Sequence, residues 1–225
     1  MTDKIIDVQP SAEETLPPPV VRVKICGITN KDDALAACDA GADALGFVLA
    51  PEAKKRNRYI DLEEAANIIA QLPPFVTTVA VCVNEPMERQ VQILSYFDCI
   101  QYHGEETPEM IPLPHIAIKA LRVASDFMIE DLDRYQARAF LLDADVPGDR
   151  GGTGKVGDWQ IARNIVNADI RVILAGGLTP ENVAEAVRTV QPYGVDTSSG
   201  VEATPGKKDH DRIRRFIHAA KTAFE

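Results

Sequence analysis

The feature that most constrains this chain is an alternation, repeated eight times, of a short apolar run and a segment of helical periodicity. The apolar runs fall at residues 20–25, 42–49, 77–83, 99–102, 116–121, 139–143, 170–175 and 193–197. Helical patterns follow at 30–40, 62–72, 86–96, 108–111, 125–135, 158–167, 179–190 and 208–223, the fourth of them short and proline-rich. Asn30 reads as an N-cap with Gly41 past the end of the first helix, and Thr179 as a cap with Pro180 in the first turn of the seventh. Apolar runs each followed by a helix are what a parallel sheet covered on both faces requires. Eight units predict an α/β fold, a single-domain (β/α)8 TIM barrel over residues 20–225, and 225 residues is an ordinary barrel length. The alternative is an open doubly wound sheet, but no glycine-rich dinucleotide turn follows the first run. Residues 1–19 are polar, end in Pro17-Pro18-Pro19, and are expected to form a flexible N-terminal extension.

Composition narrows the partners. A net charge of −10 argues against nucleic acid and anionic membranes as general partners, while still allowing a local anion site made by backbone N–H groups and a few cations. No apolar run approaches the ~20 residues that span a bilayer. The N-terminal segment lacks the basic stretch and apolar run of a secretory signal, so a cytoplasmic protein is expected. Its four cysteines, Cys26, Cys38, Cys82 and Cys99, form no CxxC pair. Reduced thiols are therefore expected, with no metal site.

Several runs carry polar residues near their C-terminal ends, where a buried strand should be apolar: Lys24 and Cys26, Gln101 and His103, Lys119, Asp143, and Asp196. Such a side chain is costly to bury unless it is paired or used. In a barrel the C-terminal strand ends build the active site, so these residues are expected to converge. Cys26 is the candidate base or nucleophile, with Lys24 on the same strand face placed to hold the thiol pKa down. Asp143 ends an apolar run and is the candidate carboxyl group, with Asp145 as its rival. The other three cysteines read as packing.

Two glycine-rich turns follow the seventh and eighth runs: Ala175-Gly176-Gly177 and Thr197-Ser198-Ser199-Gly200. Barrels commonly bind phosphate there, where close backbone approach and serine hydroxyls supply donors. The loop Arg150-Gly151-Gly152-Thr153-Gly154-Lys155 is either a lid or a plain surface loop. The basic run Lys54-Lys55-Arg56-Asn57-Arg58 is either a solvated face or an anion-gathering rim.

These motifs resemble those of the phosphoribosylanthranilate isomerase family. The resemblance rests on Val23-Lys24-Ile25-Cys26-Gly27-Ile28-Thr29, Gly41-Ala42-Asp43-Ala44-Leu45-Gly46-Phe47, Gln101-Tyr102-His103-Gly104-Glu105 and Leu141-Leu142-Asp143. It continues through Gly151-Gly152-Thr153-Gly154-Lys155, Ala175-Gly176-Gly177-Leu178 and Val195-Asp196-Thr197-Ser198-Ser199-Gly200-Val201-Glu202. It implies a barrel that carries out an Amadori rearrangement in tryptophan biosynthesis, without cofactor or metal. By the same resemblance Cys26 is the general base and Asp143 the general acid. Arg58 meets the anthranilate carboxylate, with Arg56 as rival because the loop is longer than the family's. Gly176, Gly177, Ser198, Ser199 and Gly200 lie around the phosphate. Lys24, Gln101, His103 and Asp196 complete the substrate site. The expected partner is a small phosphosugar, and the expected state a monomer or homodimer. Competing readings are another phosphosugar barrel, such as an epimerase, and a catalytically silent phosphate sensor; the pair Cys26 and Asp143 argues against the second.

Overall fold

The computed structural model describes residues 20–122, 129–143 and 159–225. Eight strands run β1 (Arg22–Cys26), β2 (Ala44–Val48), β3 (Thr77–Cys82), β4 (Cys99–Tyr102), β5 (Ala117–Arg122), β6 (Ala139–Asp143), β7 (Val172–Ala175) and β8 (Gly194–Thr197). They pair in parallel in chain order, and β8 closes on β1, as the alternation of apolar runs and helices predicts. The helices are α1 (Lys31–Asp39), α2 (Leu62–Ile69), α3 (Met87–Leu94), α4 (Glu130–Asp133), α5 (Trp159–Asn167), α6 (Val183–Val190) and α7 (His210–Lys221). Two 3-10 turns, Pro108–Met110 and Pro114–Ile116, stand between β4 and β5, where prolines prevent a longer helix. Among the described residues no helix is long and apolar enough to cross a membrane.

Local chemistry sets the helix boundaries. Asn30 caps α1 by accepting the Asp33 N–H at 2.9 Å, and Asp61 caps α2 by accepting from Glu64 at 2.9 Å. The helix expected from 179 is α6 and starts at Val183, four residues after Thr179, because residues 179–182 close on themselves: Asn182 Oδ1 takes the Thr179 N–H at 2.8 Å. The last helix starts at His210 rather than 208. Residues before it form a small antiparallel hairpin, β9 (Glu202–Thr204) and β10 (Lys207–Lys208), which the helical reading overlooked. Of the expected helix at 125–135, part lies outside the described residues, as do Asp145, the loop at 150–155 and residues 1–19.

Strand alternation divides the core in two. One set of buried residues, among them Ile25, Phe47, Leu142, Val195 and Phe216, fills the layer between strands and helices. A second set fills the barrel itself and comes from alternate strand positions: Val79, Cys99, Ile118, Ala120, Ala139, Leu141, Ile173 and Ala175. Fully burying each such large aliphatic or aromatic side chain stabilises the fold by about 1.5–3 kcal/mol. The same alternation corrects one expectation. Lys119 lies between the inward-facing Ile118 and Ala120, so it points out of the barrel and is not on the wall of the main cavity, although with His103 and Asp143 it lines a smaller pocket of about 240 Å³ beside it. It pairs there with Glu106 at 2.8 Å and donates to the Gly104 carbonyl oxygen at 2.7 Å. Both charged side chains are almost completely enclosed, and the pair fixes the loop after β4.

Candidate active site

The C-terminal strand ends open into a cavity of about 500 Å³. Cys26, Gln101, His103, Asp143 and Asp196 line it, so the predicted polar cluster is assembled from β1, β4, β6 and β8. Gly176, Gly177, Ser198 and Ser199 border it on the side of β7 and β8, and Arg56 and Arg58 on the side of β2. Going round the closed sheet, β6 is three strands from β1, so Asp143 and Cys26 face the cavity from well-separated parts of the rim.

Besides Lys119, two of the residues singled out in the sequence are not on the cavity wall. Lys24, two residues before Cys26, sits deeper in the barrel and lines the opposite mouth, a cavity of about 470 Å³ that also contains Arg22, Arg138 and Arg171. None of the expected base, acid or phosphate residues lies in that second cavity. Gly200 instead backs the turn after β8, packed so closely on the Leu178 carbonyl that a Cβ would collide with it.

Lys24 Nζ donates to Asp196 Oδ1 at 2.7 Å, a buried ion pair across neighbouring strands. Burial disfavours the Lys24 ammonium, but Asp196 and the Cys26 sulfur outweigh it and raise the pKa, so Lys24 carries a charge. That charge does not yield the lowered thiol pKa expected from the sequence. Burial pushes the Cys26 thiol above its ordinary value; Lys24 opposes this, Asp196 reinforces it, and Lys208 opposes it more weakly. Burial is the largest of these effects, and Lys24, which also pairs with Asp196, does not overcome it. Gly46 makes room for the arrangement, since a Cβ there would lie 2.8 Å from Cys26 Sγ and 3.0 Å from Lys24 Nζ.

Gln101 is buried and reaches His103: Gln101 Nε2 and His103 Nδ1 are 3.1 Å apart. The Gln101 Oε1 atom has no hydrogen-bond partner among the described residues, which leaves an acceptor for a hydroxyl or N–H group in the cavity. Asp143, half-buried, ends β6 beside Ala175 of β7.

The two glycine-rich turns are braced against each other. Gly176 and Gly177 both have positive φ, 85° and 63°, which turns successive backbone N–H groups in a way side chains rarely permit. Asn182 Nδ2 donates to the Gly177 carbonyl at 3.1 Å, and Thr197 Oγ1 donates to Leu178 O at 2.8 Å, tying the two turns together. On the other wall the basic run forms a 3-10 helix, Pro51–Arg56, that was not foreseen. It brings Lys55 and Arg56 to the cavity, with Arg58 just after it, while Lys54 lies over the Tyr59 ring at 4.6 Å. Glu202 and Lys208 are the functional candidates the sequence reading missed. Pro205-Gly206 between two short extended segments was the available signal of a hairpin. Among the described residues no group of three or more His, Cys, Asp or Glu side chains is placed to hold a metal ion.

Residues 23–219 match the family profile of N-(5'-phosphoribosyl)anthranilate (PRA) isomerase. An N-(5'-phosphoribosyl)anthranilate isomerase of Pelobacter propionicus is 51% identical over 205 residues, which cover 90% of this chain and 96% of that relative. The crystal structure of phosphoribosyl anthranilate isomerase from Thermotoga maritima is 45% identical with a TM-score of 0.81, covering 90% of this chain and 99% of that one. Another similar structure, 43% identical with a TM-score of 0.77 and covering 90% of this chain and 99% of that one, is a phosphoribosyl anthranilate isomerase in complex with reduced 1-(o-carboxyphenylamino)-1-deoxyribulose 5-phosphate. On the extent of these matches, the chain belongs to the N-(5'-phosphoribosyl)anthranilate isomerase family.

Proposed function

We propose that the chain performs its family's reaction with Cys26 as general base and Asp143 as general acid. As a family member it is an isomerase of tryptophan biosynthesis, interconverting an aldose and a ketose form. The observation that carries the residue roles is that a thiol and a carboxyl group on separate strand ends face one cavity whose far wall holds the paired glycine-rich turns.

The steps follow from where those groups sit. Asp143 gives its proton to the furanose ring oxygen, the bond from that oxygen to C1′ breaks, and the anilino nitrogen lone pair forms the iminium. Cys26 as thiolate removes the proton on C2′, and the electron pair becomes the C1′–C2′ double bond while the nitrogen becomes neutral. The resulting enol loses its hydroxyl proton as C1′ gains one, which leaves the ketone at C2′. C1′ is reduced and C2′ oxidised, so the chemistry needs no external redox partner.

The phosphate would rest against Gly176, Gly177, Ser198 and Ser199, with Gly200 holding the second turn in place. The anthranilate carboxylate would meet Arg58, with Arg56 beside it, and the open Gln101 Oε1 and His103 would bind the sugar or its amine. Lys24 and Asp196 would set the charge behind the thiol. Residues 1–19 precede the family match and are proposed to take no part in the chemistry. A cytoplasmic setting is supported by four free thiols. For its state, the reading is a monomer or a homodimer; one similar structure is of monomers generated from dimeric Thermotoga maritima phosphoribosylanthranilate isomerase. Turnover of N-(5'-phosphoribosyl)anthranilate by the purified chain tests the reading. Absence of turnover in folded protein would favour a silent phosphate sensor.

A further inference from the structure

The hairpin after β8 carries two buried charges to the rim of the active site. The Glu202 carboxylate receives Arg58 side-on: Nε donates to Oε1 and Nη2 to Oε2, both at 2.8 Å. Lys208, whose side chain is fully enclosed, donates to Glu202 Oε1 at 3.1 Å and to the Ser198 carbonyl oxygen at 3.1 Å. Ser198 belongs to the cavity-lining turn. The groups converge over Gly27, next to Cys26: a Cβ there would lie 2.9 Å from Ser198 Oγ, 3.4 Å from Arg58 Cδ and 3.5 Å from Lys208 Nζ. The hairpin is itself pinned. Thr29 Oγ1 donates to Gly206 O at 2.9 Å, and the Lys208 N–H donates to Asp33 Oδ2 at 2.9 Å.

Two features of this cluster point into the cavity. Arg58, always charged, shares its one carboxylate with Lys208, whose ammonium burial holds below its ordinary pKa although Glu202 and Cys26 oppose this, so the guanidinium keeps positive character toward an anion in the cavity. The guanidinium is planar, and two bonds to a rigid carboxylate fix both its plane and the direction of its remaining nitrogen. Among the described residues Nη1 makes no hydrogen bond, and Arg58 lines the cavity.

We infer that Glu202 is a positioning residue: braced by Lys208, it locks the Arg58 guanidinium in the orientation that receives the substrate carboxylate, and through Ser198 it couples that contact to the phosphate turn. This rests on the reading of Arg58 given above and adds what aims it. Glu202 stays ionised at neutral pH, because although burial raises its pKa, Arg58 and Lys208 more than reverse the effect.

A double-mutant cycle in the full chain tests this, with steady-state kinetics and a melting curve for each variant. Glu202→Gln keeps the shape but turns an N–H donor toward the guanidinium. It should raise KM for N-(5'-phosphoribosyl)anthranilate on the order of 10-fold with a smaller change in kcat, as loss of a charge-assisted contact does. In an Arg58→Ala background the same change should do little more, because its effect runs through Arg58. A wild-type KM in Glu202→Gln, or effects that multiply, would overturn the inference while leaving Arg58 as the carboxylate contact. A wild-type KM in Arg58→Ala would refute the carboxylate reading itself, and Glu202 would have nothing to aim. Should Glu202→Gln fail to fold, Arg58→Lys carries the test: an ammonium keeps the charge but cannot be clamped at two points. Its KM should match Arg58→Ala, and a near-wild-type KM would overturn the inference.

Discussion

Lys24 Nζ and Asp196 Oδ1 lie 2.7 Å apart on adjacent strands, immediately below Cys26, so the thiol shares its surroundings with a buried ion pair rather than with a lone cation. Burial raises the Cys26 pKa and Lys24 opposes that rise. Lys24→Met should therefore move the thiol further up and shift the alkaline-rising limb of kcat/KM to higher pH. Measured pH–rate profiles check this, and an unmoved limb would show that Lys24 does not act on the thiol.

The enclosed pair of Lys119 and Glu106 holds the loop that presents His103. Burial raises the Glu106 pKa, but hydrogen bonds from Lys119 and the Asn84 N–H outweigh it, and the folded value is lowered. A carboxyl group depressed on folding contributes stability above its unfolded pKa of about 4.3 and loses it as pH falls through the folded value. Glu106→Gln leaves Lys119 without its counter-charge and should cost about 3–5 kcal/mol at pH 7 in chemical denaturation. The variant's deficit should shrink on acidification below the unfolded value. A pH-independent deficit would mean that packing, not charge, is what was lost.

Gly177 sits at φ 63° in the first of the two tied turns. Gly177→Asp adds a strained side chain and a negative charge where the phosphate is proposed to bind. Inorganic phosphate and substrate should both bind at least ~10-fold more weakly, the scale of a lost charge-assisted contact, while the variant still folds. Unchanged phosphate affinity in calorimetry would move the phosphate elsewhere.

Much of this was legible in the sequence because the physics is local. Each strand is an apolar run bounded by turn residues, and a cap such as Asn30 marks a helix start within a residue. The polar residues at strand ends were legible for the complementary reason: they are expensive where they stand. What misled was information carried by partners. Lys119 resembles the other strand-end residues until its neighbours Ile118 and Ala120 are seen to face inward. Burial, reinforced by Asp196, outweighs the pull of Lys24, so the thiol pKa rises rather than falls. Lys208 reads as the start of a helix, yet it ends a hairpin whose purpose shows only when Arg58, 150 positions earlier in the chain, is packed against Glu202.

Deleting residues 1–18 should leave turnover and melting nearly unchanged, since the family match begins at residue 23. Activity assays and thermal melts of the shortened chain check this. A large loss of either would show that the extension packs on the barrel.

The pH dependence of kcat/KM for Cys26→Ser and Asp143→Asn, beside the parent, tests the central claim most directly. A serine hydroxyl is far too weak an acid to replace a thiolate, and asparagine has no proton to give. Each substitution should lower turnover by roughly 10²–10⁴-fold or more, and each should remove one limb of the profile: the thiol's for Cys26→Ser, the carboxyl's for Asp143→Asn. Folded variants that keep near-parental turnover would contradict the assignment, as would profiles that retain both limbs.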